Sequence, residues 1–155
     1  MTQTNTSLKT RRIGIVVAQF NQVVTDRLLA GAQEALEQAG ISRDRQLVVS
    51  VPGAFELART AKLMADQHQV DGIIALGAVI RGATSHYDYV CAETAHGLAE
   101  VSLNGPVPVM FGVLTTDDLY QALDRAGGKV GNKGRDCAAG VLTMLDVQDQ
   151  LATSK

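Results

Sequence analysis

His86 is the side chain of this chain best suited to proton transfer. Histidine has the ordinary pKa nearest neutrality, and the turn Gly82-Ala83-Thr84-Ser85 leads directly into it. Small residues in such a turn let backbone N–H groups approach an anion at a helix N-terminus, and Thr84 adds a hydroxyl. The turn lacks the Gly-Lys-Thr pattern of a nucleotide-binding loop. Taken alone it reads equally as an ordinary capped turn, with His86 as a surface or capping histidine. A second glycine-rich run, Arg125 to Gly134, offers Arg125 as a planar fork for phosphate or, equally, as a cation at a helix C-terminus. Glu56 offers acceptors to ligand hydroxyls, or favours the first turn of a helix. Phe20, Phe55 and Phe111 stand at or just after strand ends, where a flat heterocycle would stack. His68 and His96 lack such surroundings. The chemistry on offer is to hold an anion, stack a flat ring and move protons.

These residues need elements to position them. Ile13 to Ala18 is a continuous apolar run, as expected of a parallel strand covered on both faces. Asn21 to Ala39 switches to helical spacing, with Asn21 or Thr25 as cap and Gly40 as stop. Leu47–Val51, Gly72–Ile80 and Val107–Val113 read as further strands. Phe55–Gln67, His86–Leu103, a helix from Asp117 to Ala126 capped by Thr116, and Lys133–Leu151 read as helices. Strands alternating with helices imply a parallel sheet with right-handed crossovers. The expected fold is α/β: a three-layer α/β/α sandwich of flavodoxin-like type with a four-stranded parallel sheet. Ligands bind beyond the carboxyl ends of such strands, where the residues above fall.

The chain has 155 residues, enough for one domain over 12–155 behind a polar tail over 1–11. With 14 basic and 16 acidic residues the net charge is −2, so no strong field gathers nucleic acid or an anionic membrane. Cys91 and Cys137 have no metal-ligand spacing and read as buried small hydrophobes in a reducing compartment. No metal site is expected. The polar N-terminus lacks a secretion signal, and no apolar run approaches the ~20 residues of a membrane span, so a cytoplasmic location is expected. Aromatics are 4 % with no tryptophan, so Val, Ile, Leu and Ala must build the core and the phenylalanines are released for other work.

Five segments together resemble the 6,7-dimethyl-8-ribityllumazine synthase family: Phe20-Asn21, Val51 to Glu56, Gly77 to Tyr89, Phe111 to Thr115, and Arg125 to Gly134. The resemblance runs from Arg12 to about Leu145. It implies an enzyme of riboflavin biosynthesis, a transferase that condenses 5-amino-6-(D-ribitylamino)uracil with 3,4-dihydroxy-2-butanone 4-phosphate. The products are 6,7-dimethyl-8-ribityllumazine, phosphate and water. The resemblance assigns Phe20 to stacking on the pyrimidine and Ala54, Phe55 and Glu56 to the ribityl chain. It assigns Ala78, Val79 and Ile80 to backbone contacts with the uracil, and Ala83, Thr84 and Arg125 to the phosphate. His86 becomes the general acid/base and Lys133 an auxiliary cation. Phe111 and Arg125 would come from a neighbouring subunit. No cofactor is implied, because the substrates carry their own amine and carbonyl. The family forms homopentamers, and in some members twelve of these make a 60-subunit shell; the compact Gly128–Gly134 turn resembles the shell-forming members. Riboflavin synthase is a further candidate partner. Asp136 stands where glutamate is common, and Gly128 where a larger residue is common. The alternative reading is a catalytically weak paralogue that carries riboflavin or a lumazine. A receiver domain would need an acidic pair after the first strand, where Gln19-Phe20-Asn21 has none, and a purely structural shell would need no catalytic set.

Overall fold

The apolar run at the start of the chain divides by simple alternation. Ile13, Ile15 and Val17 enter one core, and Val16 and Ala18 enter another on the opposite face. Both faces of the strand are therefore buried, which is why its sequence shows no polar alternation. A computed structural model describes residues 8–154. Its elements in chain order are β1 (Ile13–Ala18), α1 (Gln22–Gln38), β2 (Gln46–Val51), α2 (Leu57–Asp66), β3 (Gly72–Ile80), α3 (His86–Asn104), β4 (Val109–Thr116), α4 (Leu119–Asp124), β5 (Ala126–Gly128), β6 (Gly131–Asn132) and α5 (Lys133–Thr153). Strands 1 to 4 form one parallel sheet in the order β2-β1-β3-β4. Helices α1 and α5 cover one face through Leu28, Leu36, Val141 and Leu145. Helices α2 and α3 cover the other through Leu57, Met64 and Leu98. This is the three-layer α/β/α, flavodoxin-like arrangement. No helix among the described residues is long and apolar enough to cross a membrane.

Several boundaries differ from the sequence reading, each for a local reason. Asn21 does precede α1, but in the left-handed region (φ 62°), and its side chain leaves the helix end to bond β3. Thr25 is buried inside the helix. Ala54–Glu56 form a 3₁₀ turn, so α2 starts only at Leu57. Thr116 stays in β4 and donates its hydroxyl to the Asp118 carbonyl; the cap of α4 is Asp118, which accepts from the Gln121 N–H at 2.8 Å. That helix ends at Asp124 because Ala126–Gly128 pair with Gly131–Asn132 in a small antiparallel hairpin. Gly127 and Gly131 take its positive φ values of 101° and 96°. Cys137 is buried, but Cys91 is only half-buried.

The expected tail lies in part outside the described residues, over positions 1–7. Its described end is anchored. Leu8 packs on the core, and Arg11 bonds both carboxylate oxygens of Asp149 at 2.6 and 2.8 Å.

Candidate active site

The strand order reverses direction between β1 and β3, and a crevice opens there beyond their carboxyl ends. A cleft of about 680 Å³ fills it. Phe20 and Asn21 enter it from the end of β1. Pro52 to Glu56 enter from the β2–α2 turn, Ala78 to Ile80 from β3, and Gly82, Thr84, His86, Tyr87 and Tyr89 from the start of α3. Phe20 is 72 % exposed and Phe55 63 % exposed, so neither ring serves the core. An apolar ring left in water at the mouth of a cleft offers its face to a flat ligand.

The sheet itself contributes an open edge. Pairing of β1 with β3 ends at Val17 opposite Leu76, while β3 continues to Ile80 along β4. The Ile73 and Arg81 N–H groups both turn toward β4, onto the Pro108 and Thr116 carbonyls. By alternation Val79 faces β4 as well, and Ala78 and Ile80 face the cleft. Asn21 Nδ2 donates to the Ala78 carbonyl at 2.8 Å, which explains the left-handed backbone of Asn21. Beyond that bond the β3 edge runs past the end of β1, where a planar group with its own donors and acceptors could pair with it.

Around this edge sit the groups for proton and anion handling. The Thr84 hydroxyl accepts from the His86 N–H at 3.4 Å, and both residues are exposed to the cleft. Glu56 Oε2 accepts from the Gly53 N–H at 3.0 Å, which holds the carboxylate over the turn. Ala83 is exposed on the loop, outside the residues that line the cleft. Tyr87 bonds Thr115 and lies beside Cys91. Burial pushes its phenol up, and burial likewise pushes the Cys91 thiol up. The lining holds the carboxylates of Glu56 and Glu93 and the imidazole of His86, and no lysine or arginine among the described residues.

The cations lie in a second cleft of about 400 Å³, beyond the end of β4. Arg125, Lys133 and Asp136 line it with Gln121 and Val130. The Arg125 guanidinium donates to the Gln121 carbonyl at 3.1 Å, and the Lys133 N–H donates to the Arg125 carbonyl at 2.9 Å. Asn132 caps α5 by accepting from the Gly134 and Arg135 N–H groups at 2.8 and 3.1 Å. Its amide donates to the Arg27 carbonyl, which pins the loop to α1. Phe111, early in β4 and 38 % exposed, lines neither cleft. Within one chain, then, the expected site residues fall into separate groups.

Comparison with known proteins matches the chain to one family. A model of 6,7-dimethyl-8-ribityllumazine synthase matches residues 10–149. The chain is 59 % identical over 141 residues to the 6,7-dimethyl-8-ribityllumazine synthase of Levilactobacillus brevis, covering 91 % of this chain and 90 % of that one. It is 57 % identical over 137 residues to the protein so named from Lactiplantibacillus plantarum, covering 88 % and 86 %. It is 52 % identical over 140 residues to that of Pediococcus pentosaceus, covering 90 % of each.

The chain belongs to the 6,7-dimethyl-8-ribityllumazine synthase family.

Seen as a lumazine synthase site, the cleft holds residues that the sequence reading did not single out. Asn21 closes the β3 edge, and Tyr87, Tyr89 and Glu93 line the wall formed by α3. Spacing carries a signal for Tyr89 and Glu93. Positions 86, 89, 90 and 93 recur at helical intervals, so one face of α3 that starts with His86 must continue through Tyr89, Val90 and Glu93.

Proposed function

We propose that this chain condenses 5-amino-6-(D-ribitylamino)uracil with 3,4-dihydroxy-2-butanone 4-phosphate to form 6,7-dimethyl-8-ribityllumazine, in riboflavin biosynthesis. Phe20 stacks on the pyrimidine, and the open edge at Ala78 and Ile80 bonds its polar atoms. Val79 lines the cleft between them but turns its backbone groups to β4, so the expected backbone bond from Val79 to the uracil is not part of the proposal. Glu56, beside Ala54 and Phe55, accepts from the ribityl hydroxyls. The 5-amino group adds to the ketone carbon of the butanone phosphate, and water leaves as the C=N bond forms. Loss of phosphate unmasks a ketone beside the imine; the ribityl-bearing nitrogen adds to it, and a second water leaves as the ring closes. His86 gives and takes the protons of these steps. Ala83, Thr84 and Arg125 hold the phosphate, with Lys133 as auxiliary cation. The substrates bring their own nucleophile and electrophile. Holding them in register supplies several kcal/mol, up to about ten.

The observation that carries the reading is the division of charge between the clefts. The cleft with the stacking ring and His86 has carboxylates but no arginine or lysine in its lining; Arg125 and Lys133 line the other. A phosphate ester needs both halves. A neighbouring copy that brings its Arg125 and Phe111 to the His86 cleft completes the site, which is why an oligomer is proposed; the family resemblance makes it a homopentamer, and the compact Gly128–Gly134 turn favours its assembly into a 60-subunit shell. A cytoplasmic location fits small phosphorylated substrates, and riboflavin synthase fits as the partner that consumes the product.

The test is direct. Purified protein is mixed with both substrates, and lumazine absorbance is followed against the uncatalysed background. Acceleration is expected; none, from a folded oligomer, would refute the reading. His86→Ala should slow turnover more than it weakens binding. Arg125→Ala should chiefly raise the KM for the butanone phosphate. Light scattering that finds a monomer would contradict the shared site.

A further inference from the structure

Arg81 touches neither cleft, yet it spans the base of the loop that carries Thr84 and His86. That loop has little to hold it. Gly82 to Ser85 are all exposed, and a Cβ at Gly82 would meet nothing within 4 Å. Its internal bonds are the 3.4 Å contact of Thr84 with the His86 N–H and a 3.0 Å bond from the Asp88 N–H to the Ser85 carbonyl. What fixes it must act from its two ends, and Arg81 does so. Its N–H donates to the Thr116 carbonyl at 2.9 Å. Its guanidinium then reaches three groups: Nε lies 3.2 Å from Asp117, Nη1 lies 3.5 Å from Asp88, and its carbon sits 4.2 Å from the centre of the Tyr87 ring. Asp117 follows β4, whereas Tyr87 and Asp88 belong to the first turn of α3.

We propose that Arg81 is a positioning residue, which locks the first turn of α3 to the β4–α4 turn and so sets the angle at which Thr84 and His86 meet the phosphate-bearing substrate. The inference rests on the roles given above to those two residues. Each exposed pair alone is worth little to stability. The geometry is what matters: a planar fork can serve two carboxylates and an aromatic face at once, and an ammonium cannot. The same anchor also leads to the second cleft. The Asp117 N–H donates to Gln121 Oε1, and the Gln121 carbonyl accepts from Arg125.

The experiment is steady-state kinetics on the assembled enzyme, with each substrate varied in turn. A displacement of 1 Å at a reacting group costs about 100-fold, and partial release of the loop should cost about tenfold in kcat/KM for the butanone phosphate. Arg81→Met, which keeps the stem and loses the fork, should show that loss while the KM for the ribitylaminouracil is unchanged. Arg81→Lys should recover only part of it. Asp117→Asn, which leaves Arg81 in place but cuts its anchor, should lose activity in the same direction. A distant cation that merely attracts phosphate behaves otherwise: lysine would restore full activity, and Asp117→Asn would improve the KM for the phosphorylated substrate. Either of those results overturns the proposal, as does an Arg81→Met enzyme with unchanged kcat/KM. So does an equal rise in KM toward both substrates, which would mark a structural role. Thr84→Ala and His86→Ala are measured alongside. If they too leave the butanone phosphate constants unchanged, the site reading itself falls; if they impair use of that substrate and Arg81→Met does not, the positioning role alone falls.

Discussion

Gly134 is the second residue of α5 and is buried against α1. Replacing it with alanine sets two effects in opposition. By helix propensity alone the change should stabilise by up to about 1 kcal/mol. But a Cβ there would lie 2.0 Å from the Leu28 carbonyl oxygen and 2.8 Å from its carbon. Those are backbone atoms of α1, so no side chain can swing away. Restoring ordinary contact at 3.4 Å moves the start of α5 off α1 by more than about 1 Å. Overpacking of this kind costs about 1–3 kcal/mol, and disturbing the Asn132 cap beside it costs a further 0.5–2 or so. The net expectation is a loss of about 0.5–4 kcal/mol, or a thermal midpoint lower by about 1–16 °C. Gly140, further along the same helix, is the control. Its Cβ would meet the Met110 methyl at 2.4 Å, the free end of a flexible side chain, so Gly140→Ala should stay within about 1 kcal/mol of the parent. Both variants are compared by denaturant unfolding at one protein concentration, since assembly shifts apparent stability. If Gly134→Ala proves as stable as Gly140→Ala, the close approach of α1 and α5 is not what the glycine serves.

Phe20→Ala should raise the KM for the ribitylaminouracil about tenfold, since stacking on a base is worth about 1–3 kcal/mol. Unfolding should be unaffected because the ring is 72 % exposed; an unchanged KM would remove Phe20 from stacking. Burial pushes the Cys137 thiol up to about 11. At pH 8 only about one in a thousand of these groups is then ionised, and a thiol reagent should label half-buried Cys91 first. Equal labelling rates in the native protein would refute this. The folded state favours the neutral thiol, so this contribution to stability is intact below the unfolded value near 9 and is lost as pH rises through about 11. Arg11→Met breaks the paired bonds to Asp149 and should cost about 1 kcal/mol, with the difference shrinking in high salt. A salt-independent loss would point to packing of the arginine stem instead.

The layers of the fold were legible because burial on both faces forces uninterrupted apolar runs such as Gly72–Ile80, whose observed bounds match the sequence reading. The strand-end residues were legible too, since the topology sends ligands to that edge. What escaped were features decided by contacts between distant segments. Asn21 looks like a helix cap, yet Ala78, far along the chain, draws its side chain away. Thr116 has the right chemistry for a cap, but β3 extends far enough to keep it in the sheet. Arg81 carries no motif of its own. Its use depends on Asp117 and Asp88 arriving from two different elements. The division of the basic residues from the stacking ring was implied by the family resemblance and not by any spacing.

The exile of aromatic rings from the core also decides what light reports on. With no tryptophan, the near-ultraviolet emission of the chain comes from three tyrosines, Tyr87, Tyr89 and Tyr120. Two of them line the cleft. Two of the three emitters therefore stand where the proposed pyrimidine would bind. A lumazine or pyrimidine that absorbs where tyrosine emits would dim that signal on arrival. On the proposed binding mode, tyrosine emission would report occupancy with no label to attach.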